Sequence, residues 1–165
     1  MNKKPVIIVL TLLAWAGIAA VFLTRESDAP MTSFTTLAGE KTSLQEMRGK
    51  VVLVNFWATT CPPCAREMPR LAEAYRKYHG RGYETVAVAM SYDPPLYVKR
   101  FTEQYQLPFK MVLDADGTIA AAFADVNATP TSYLIDRQGR IVRRVVGELE
   151  FPAFEALLEK ELAKG

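Results

Sequence analysis

Cys61 and Cys64 are the only cysteines in the 165-residue chain, and the two residues between them, Pro62 and Pro63, are both prolines. The pair lies between a nearly continuous apolar run, Val51 to Trp57, and a stretch of helical periodicity that opens at Pro62. In open α/β sheets this strand-to-helix junction is where ligands and reactive groups collect. A thiol at a helix N-terminus meets unpaired backbone N–H groups and the positive end of the helix dipole, and both favour the thiolate. Cys61 is therefore expected to be the more acidic and more exposed sulfur. Cys64, one turn inside the helix, is placed to attack a mixed disulfide formed on Cys61 and release the product. The pair reads as a two-electron switch.

Other uses of the pair are weaker. Closing so short a ring removes little unfolded-state entropy, about 2 kcal/mol against about 4.7 kcal/mol for a hundred-residue loop. A structural zinc needs four ligands, and the single histidine, His79, adds one soft ligand at most, from a helix end flanked by Gly80. Inert buried thiols would not need prolines between them.

The elements around the pair follow from periodicity. Val51 to Trp57 has the pattern of a central strand covered on both faces. Pro62 to Tyr78 is expected to be a helix through Met68, Leu71, Ala72 and Tyr75, stopped by Gly80 and Gly82. Glu84 to Ser91 reads as a second buried strand, Pro95 to Tyr105 as a helix with Leu96, Val98, Phe101 and Tyr105 inward, and Lys110 to Leu113 as a short strand. Ile119 to Ala124 is a helical turn or two. Ser132 to Ile135 and Ile141 to Val146 form a hairpin about Arg137-Gln138-Gly139, and Phe154 to Leu162 is a last helix. Upstream, a strand over Phe34 to Leu37 and a turn at Gly39 precede a capping box, Ser43-x-x-Glu46. The order implies an α/β fold with a mixed central sheet flanked by helices on both faces.

Composition and the N-terminus bound the setting. With 20 Lys+Arg against 18 Asp+Glu, the net charge of +2 gives no reason to expect a nucleic-acid partner. Lys3 and Lys4 precede an uncharged apolar stretch, Val6 to Leu23. It is read as an uncleaved membrane anchor, because neither Gly17-Ile18-Ala19 nor Ser27-Asp28-Ala29 makes a good cleavage site; a cleaved signal is the alternative. The positive-inside rule keeps the N-terminus in the cytoplasm and puts the domain on the other side, in the periplasm or cell exterior. The expected division is an anchor or signal over 1–24, a tether over 25–32 and one domain over 33–165.

The run Val54-Asn55-Phe56-Trp57-Ala58-Thr59-Thr60-Cys61-Pro62-Pro63-Cys64-Ala65-Arg66-Glu67-Met68-Pro69, with Ala128-Thr129-Pro130-Thr131-Ser132-Tyr133 downstream, resembles the membrane-anchored, thioredoxin-like TlpA/ResA type of thiol-disulfide oxidoreductase. The resemblance implies a thioredoxin fold with an N-terminal extension and an inserted strand and helix, matching Tyr92 to Asp125. It implies extracytoplasmic reduction of client disulfides, for example the haem-site cysteines of apocytochromes c or copper-site cysteines. Electrons would come from a membrane thiol-disulfide carrier, with no cofactor and no metal. Thr129-Pro130 matches the family's cis-proline loop and Glu67 its buried acid beneath the cysteines. Trp57, Pro62, Pro63, Thr129 and Pro130 are the expected substrate-binding residues, and Cys61, Cys64 and Glu67 the catalytic ones. Alternative readings are a Cu(I) metallochaperone on the two thiolates and a disulfide oxidase or isomerase, which differs only in potential. Two departures stand out. Asn55 occupies the place of the acid in thioredoxins proper, and Thr60 replaces the usual tryptophan before the first cysteine.

Overall fold

A computed structural model describes residues 27–164. Strand β3 (Val51–Trp57) is buried along its whole length. Its side chains alternate: Val51, Leu53 and Trp57 enter one hydrophobic core, Val52, Val54 and Phe56 the other. On one side β3 pairs in parallel with β4 (Tyr83–Ala89), and on the other antiparallel with β6 (Thr131–Ile135). Strand β5 (Lys110–Leu113) extends the parallel half, and β7 (Ile141–Val146) closes the antiparallel edge, giving the order β5-β4-β3-β6-β7.

The parallel steps need crossovers, which α1 (Pro62–Tyr78) and α2 (Pro95–Gln104) supply. The first core lies under α1, α4 (Phe151–Leu162) and Val98 of α2. The second lies under α3 (Thr118–Ala122) and the hairpin of β1 (Ser33–Thr35) and β2 (Lys41–Ser43), with Leu44 and Met47 just beyond it. This is the expected mixed sheet with helices on both faces.

Helix α1 carries the chemistry and its sequence explains its limits. Pro62 and Pro63 fill the first turn, where no N–H is needed, and Arg76 and Lys77 sit in the last turn against the negative end of the dipole. Cys64, Glu67, Met68, Leu71, Ala72, Ala74 and Tyr78 form its buried face. Pro69 lies inside the helix, where it removes one backbone donor. A 3-10 turn, His79–Arg81, ends at Gly82 in the left-handed region, φ 90°.

Several expectations are adjusted. The strand expected over Phe34 to Leu37 is a short hairpin, because Thr36 and Glu40 close a turn at Gly39 that brings Lys41 back against Thr35. The capping box forms: the Ser43 and Glu46 side chains each accept from the other's backbone N–H, at 3.3 and 3.1 Å, over the turn that follows β2. Helix α4 starts at Phe151, so that Pro152 falls in its first turn, and is capped by Glu150 accepting from the Ala153 N–H. Leu96 and Tyr105 of the expected inner side of α2 are exposed, since only Val98 and the half-buried Phe101 reach the core. The start of the described residues, expected as tether, is fastened to the β6–β7 turn by Ala29 N–H to Gly139 O (2.9 Å) and to the first residue of β7 by Ile141 N–H to Ser27 O (2.8 Å). The expected anchor over Val6 to Leu23 lies outside the described residues; among the described residues no helix is long and apolar enough to cross a membrane.

Phe56 is fully buried, its ring meeting Phe123 at 5.3 Å and Tyr133 at 6.1 Å. Phe56→Ala is expected to lower unfolding free energy by about 3–5 kcal/mol. Urea denaturation checks this as a lower midpoint with an unchanged slope.

Candidate active site

Cys61 is the N-cap of α1 and is disulfide-bonded to Cys64, with Cα atoms 5.3 Å apart. Its sulfur accepts from the Cys64 N–H at 3.3 Å, one of the donors a helix leaves unpaired at its start. Cys61 is partly exposed and Cys64 is buried, as the sequence leads one to expect. Reduction is expected to leave the Cys61 thiolate facing the same donor and the same end of the helix dipole. Pro62 is exposed beside it and Pro63 half-buried.

Glu67 is buried on the same helix face, one turn past Cys64. Its Oε2 accepts from the Leu149 N–H at 2.9 Å, and its Oε1 from the Asn55 side-chain N–H at 3.1 Å. Burial pushes its pKa from 4.5 up to about 7; the Leu149 bond opposes that rise, the Glu148 charge adds to it, and Asn55 and Arg70 oppose it. An acid poised there can take a proton from a thiol or return one near neutral pH. The pairing with Asn55 follows from strand alternation, since Asn55 shares the α1 side of β3 with Leu53 and Trp57.

The loop into Cys61 is clamped from the β4–α2 connection. Asp93, buried, accepts from the Thr59 N–H at 2.6 Å and from the Thr59 hydroxyl at 2.5 Å. Sequence reasoning passed over Asp93; the available signal was an acid just before Pro94-Pro95 at the end of a buried strand. Asp93→Ala is expected to cost about 1–3 kcal/mol, because it leaves the two Thr59 donors without their partner. The drop in unfolding free energy in denaturant checks it.

Thr129-Pro130 is a cis peptide. Phe56 pairs with Thr131, so Pro130 and the segment leading from Trp57 to Cys61 emerge at the same end of the sheet. Pro130 is buried and its carbonyl accepts from the Gly147 N–H at 2.8 Å, while Thr129 stays partly exposed, its hydroxyl 3.5 Å from that of the exposed Tyr92. Trp57 corrects an expectation. It is 0 % exposed, its ring 5.1 Å from that of Phe101, so it supports the site from below and offers no surface to a substrate. The cause is its place on a strand covered on both faces. Among the described residues no group of three or more His, Cys, Asp or Glu side chains converges as metal ligands do.

A helix-capping cysteine pair on a mixed sheet, with a buried acid one turn along the same helix and a cis-proline at the same end of the sheet, defines a thiol-disulfide oxidoreductase of thioredoxin-like fold. The model of the Redoxin family matches residues 25–158. A thiol-disulfide oxidoreductase ResA of Bacillus cereus is 38% identical over 133 residues, covering 81% of this chain and 76% of its own. ResA of Geobacillus thermodenitrificans is 37% identical over 151 residues, covering 87% and 86%. A thiol:disulfide interchange protein of the thioredoxin family from Chlorobium tepidum superposes with a TM-score of 0.77 at 26% identity, over 84% of this chain and 98% of that one. The chain belongs to the redoxin family, as a thiol-disulfide oxidoreductase similar to ResA.

Proposed function

We propose that this enzyme reduces disulfides in client proteins on the outer side of the membrane that its N-terminal segment anchors. Clients of the fitting kind carry a cysteine pair in an extended segment, such as the haem-site cysteines of an apocytochrome c or the cysteines of a copper site. The observation that carries the reading is the Cys61–Cys64 disulfide capping α1, with Glu67 buried one turn below.

In the reduced enzyme, the Cys61 thiolate attacks one client sulfur, and the second client sulfur leaves as a thiolate and takes a proton. Cys64 gives its proton to Glu67 and attacks the Cys61 sulfur; the bond from Cys61 to the client breaks, and the first client sulfur leaves as a thiolate that takes the proton from Glu67, the proton on the second client sulfur having come from water. The client gains two electrons and two protons, and the enzyme is left with the Cys61–Cys64 disulfide. Thr129, whose backbone precedes a residue without an N–H, lies open for an extended client strand. A thiol-disulfide carrier in the membrane then returns two electrons to the pair.

Equilibration of the full-length protein with glutathione buffers tests the direction of electron flow. A potential near that of the reductant thioredoxin, about −270 mV, supports reduction of clients, whereas a value near that of strong oxidants, about −120 mV, reverses the assignment. Alkaline phosphatase, whose own disulfides do not form in a reducing cytoplasm, fused after Gly165 tests the location: activity in intact cells supports it, and an intact but inactive fusion overturns it.

A further inference from the structure

Asn55 and Ser132 face each other in register across β3 and β6. The Asn55 amide nitrogen donates to two oxygens at once, Glu67 Oε1 at 3.1 Å and Ser132 Oγ at 2.9 Å. Its carbonyl oxygen Oδ1 is buried and has no partner among the described residues. An ionised carboxylate only accepts hydrogen bonds, a protonated one must also donate, and amides and hydroxyls can do either. The observed orientation therefore suits an ionised Glu67. A proton placed on Oε1 would set an O–H against an N–H, two donors facing each other. Rotating the Asn55 amide by about 180° about its last side-chain bond, a two-fold torsion, puts Oδ1 there instead. Its two lone pairs then serve the Glu67 O–H and the Ser132 O–H. Two hydrogen bonds exist in either orientation, and the unpartnered end of the amide stays in the same place.

We propose that Asn55 and Ser132 form an invertible hydrogen-bond pair that donates to Glu67 when it is ionised and accepts from it when it is protonated. The inference rests on Glu67 handling the Cys64 proton, and it makes both residues positioning residues. Neither exchanges a proton: the proton moves between Cys64 and Glu67, and the amide and hydroxyl only reorient. Leu149 N–H holds Glu67 Oε2 in both states, and the charges that face Glu67 from around it are Glu148 and Arg70. An acid in place of Asn55 could not serve in this way, because two carboxylates sharing the site would compete for one proton.

The oxidised full-length protein isolates the event, since neither bonded cysteine titrates. Its Glu67 carboxyl carbon and Asn55 side-chain amide are followed by NMR across pH. The Asn55 signal is expected to move with the midpoint of Glu67. Glu67→Gln, which presents a permanent N–H donor, is expected to hold Asn55 at its low-pH position throughout. In Ser132→Ala the Asn55 signal still moves, over a smaller range. Asn55→Leu is expected to raise the proton affinity of Glu67 about fivefold, since the charge-assisted bond lost to the ionised form is stronger than the neutral bond lost to the protonated form. A stationary Asn55 signal beside a titrating Glu67, or an unchanged midpoint in Asn55→Leu, overturns the pairing alone. A Glu67 that shows no midpoint between about pH 5 and pH 9 overturns both the pairing and its assigned proton role.

Discussion

Full-length protein carrying Cys61→Ser is expected to lose turnover of a mixed-disulfide substrate by a factor on the order of a thousand or more, the scale of losing a covalent nucleophile. Cys64→Ser is expected to behave differently. Its Cys61 still attacks, but nothing resolves the product, so a mixed disulfide with the client accumulates and survives a non-reducing gel. The asymmetry comes from burial: Cys64 is 1 % exposed and reaches a sulfur only after Cys61 has brought it in, whereas Cys61 caps the helix at the surface. A Cys61→Ser protein that keeps its exchange activity, or a Cys64→Ser protein that turns over freely, contradicts this division of labour.

Glu67→Gln is expected to make the oxidised protein more stable at pH 8 than the parent, by up to about 3 kcal/mol. The carboxyl titrates at about 7 in the fold against an ordinary 4.5. Below the unfolded value it is protonated in both states and costs nothing. Between the two values the unfolded chain ionises first, so stability falls as pH rises, and the loss is complete once pH passes the folded value. Glutamine is neutral throughout and keeps an acceptor for the Leu149 N–H, so this slope disappears. The gap between the two proteins should shrink to within about 1 kcal/mol at pH 5. Urea denaturation at the two pH values reads it directly, and parallel pH dependences would refute a raised Glu67.

Where the sequence was legible, local patterns and packing agreed. Pro62-Pro63 at the start and Gly80 and Gly82 at the end bracket α1, and its 3.6-residue apolar face does pack on the sheet. The all-apolar β3 was readable as a central strand because both of its faces needed cover. The short polar strand β2 was not, because Lys41-Thr42-Ser43 owes its conformation to pairing with β1 rather than to burial. The inner side of α2 was overestimated, because apolar spacing cannot tell how far a helix leans over its sheet. The site divides the same way. Cys61 and Cys64 were readable from spacing, as neighbours on one helix. Glu67's bonds reach back to Asn55 and forward to Leu149, and Asn55's reach Ser132, 77 positions away; only the fold brings these together. Trp57 shows the converse error: it stands beside the reactive loop in sequence, yet a strand covered on both faces keeps its ring inside.

Alkylation of the reduced full-length protein by iodoacetamide, followed residue by residue as pH is varied, bears most directly on the mechanism. Cys61 should be modified first, with half its reactivity already present below the ordinary thiol value of about 8.5, because only its sulfur caps the helix. Preferential modification of Cys64, or a Cys61 as sluggish as a free peptide thiol, would contradict it.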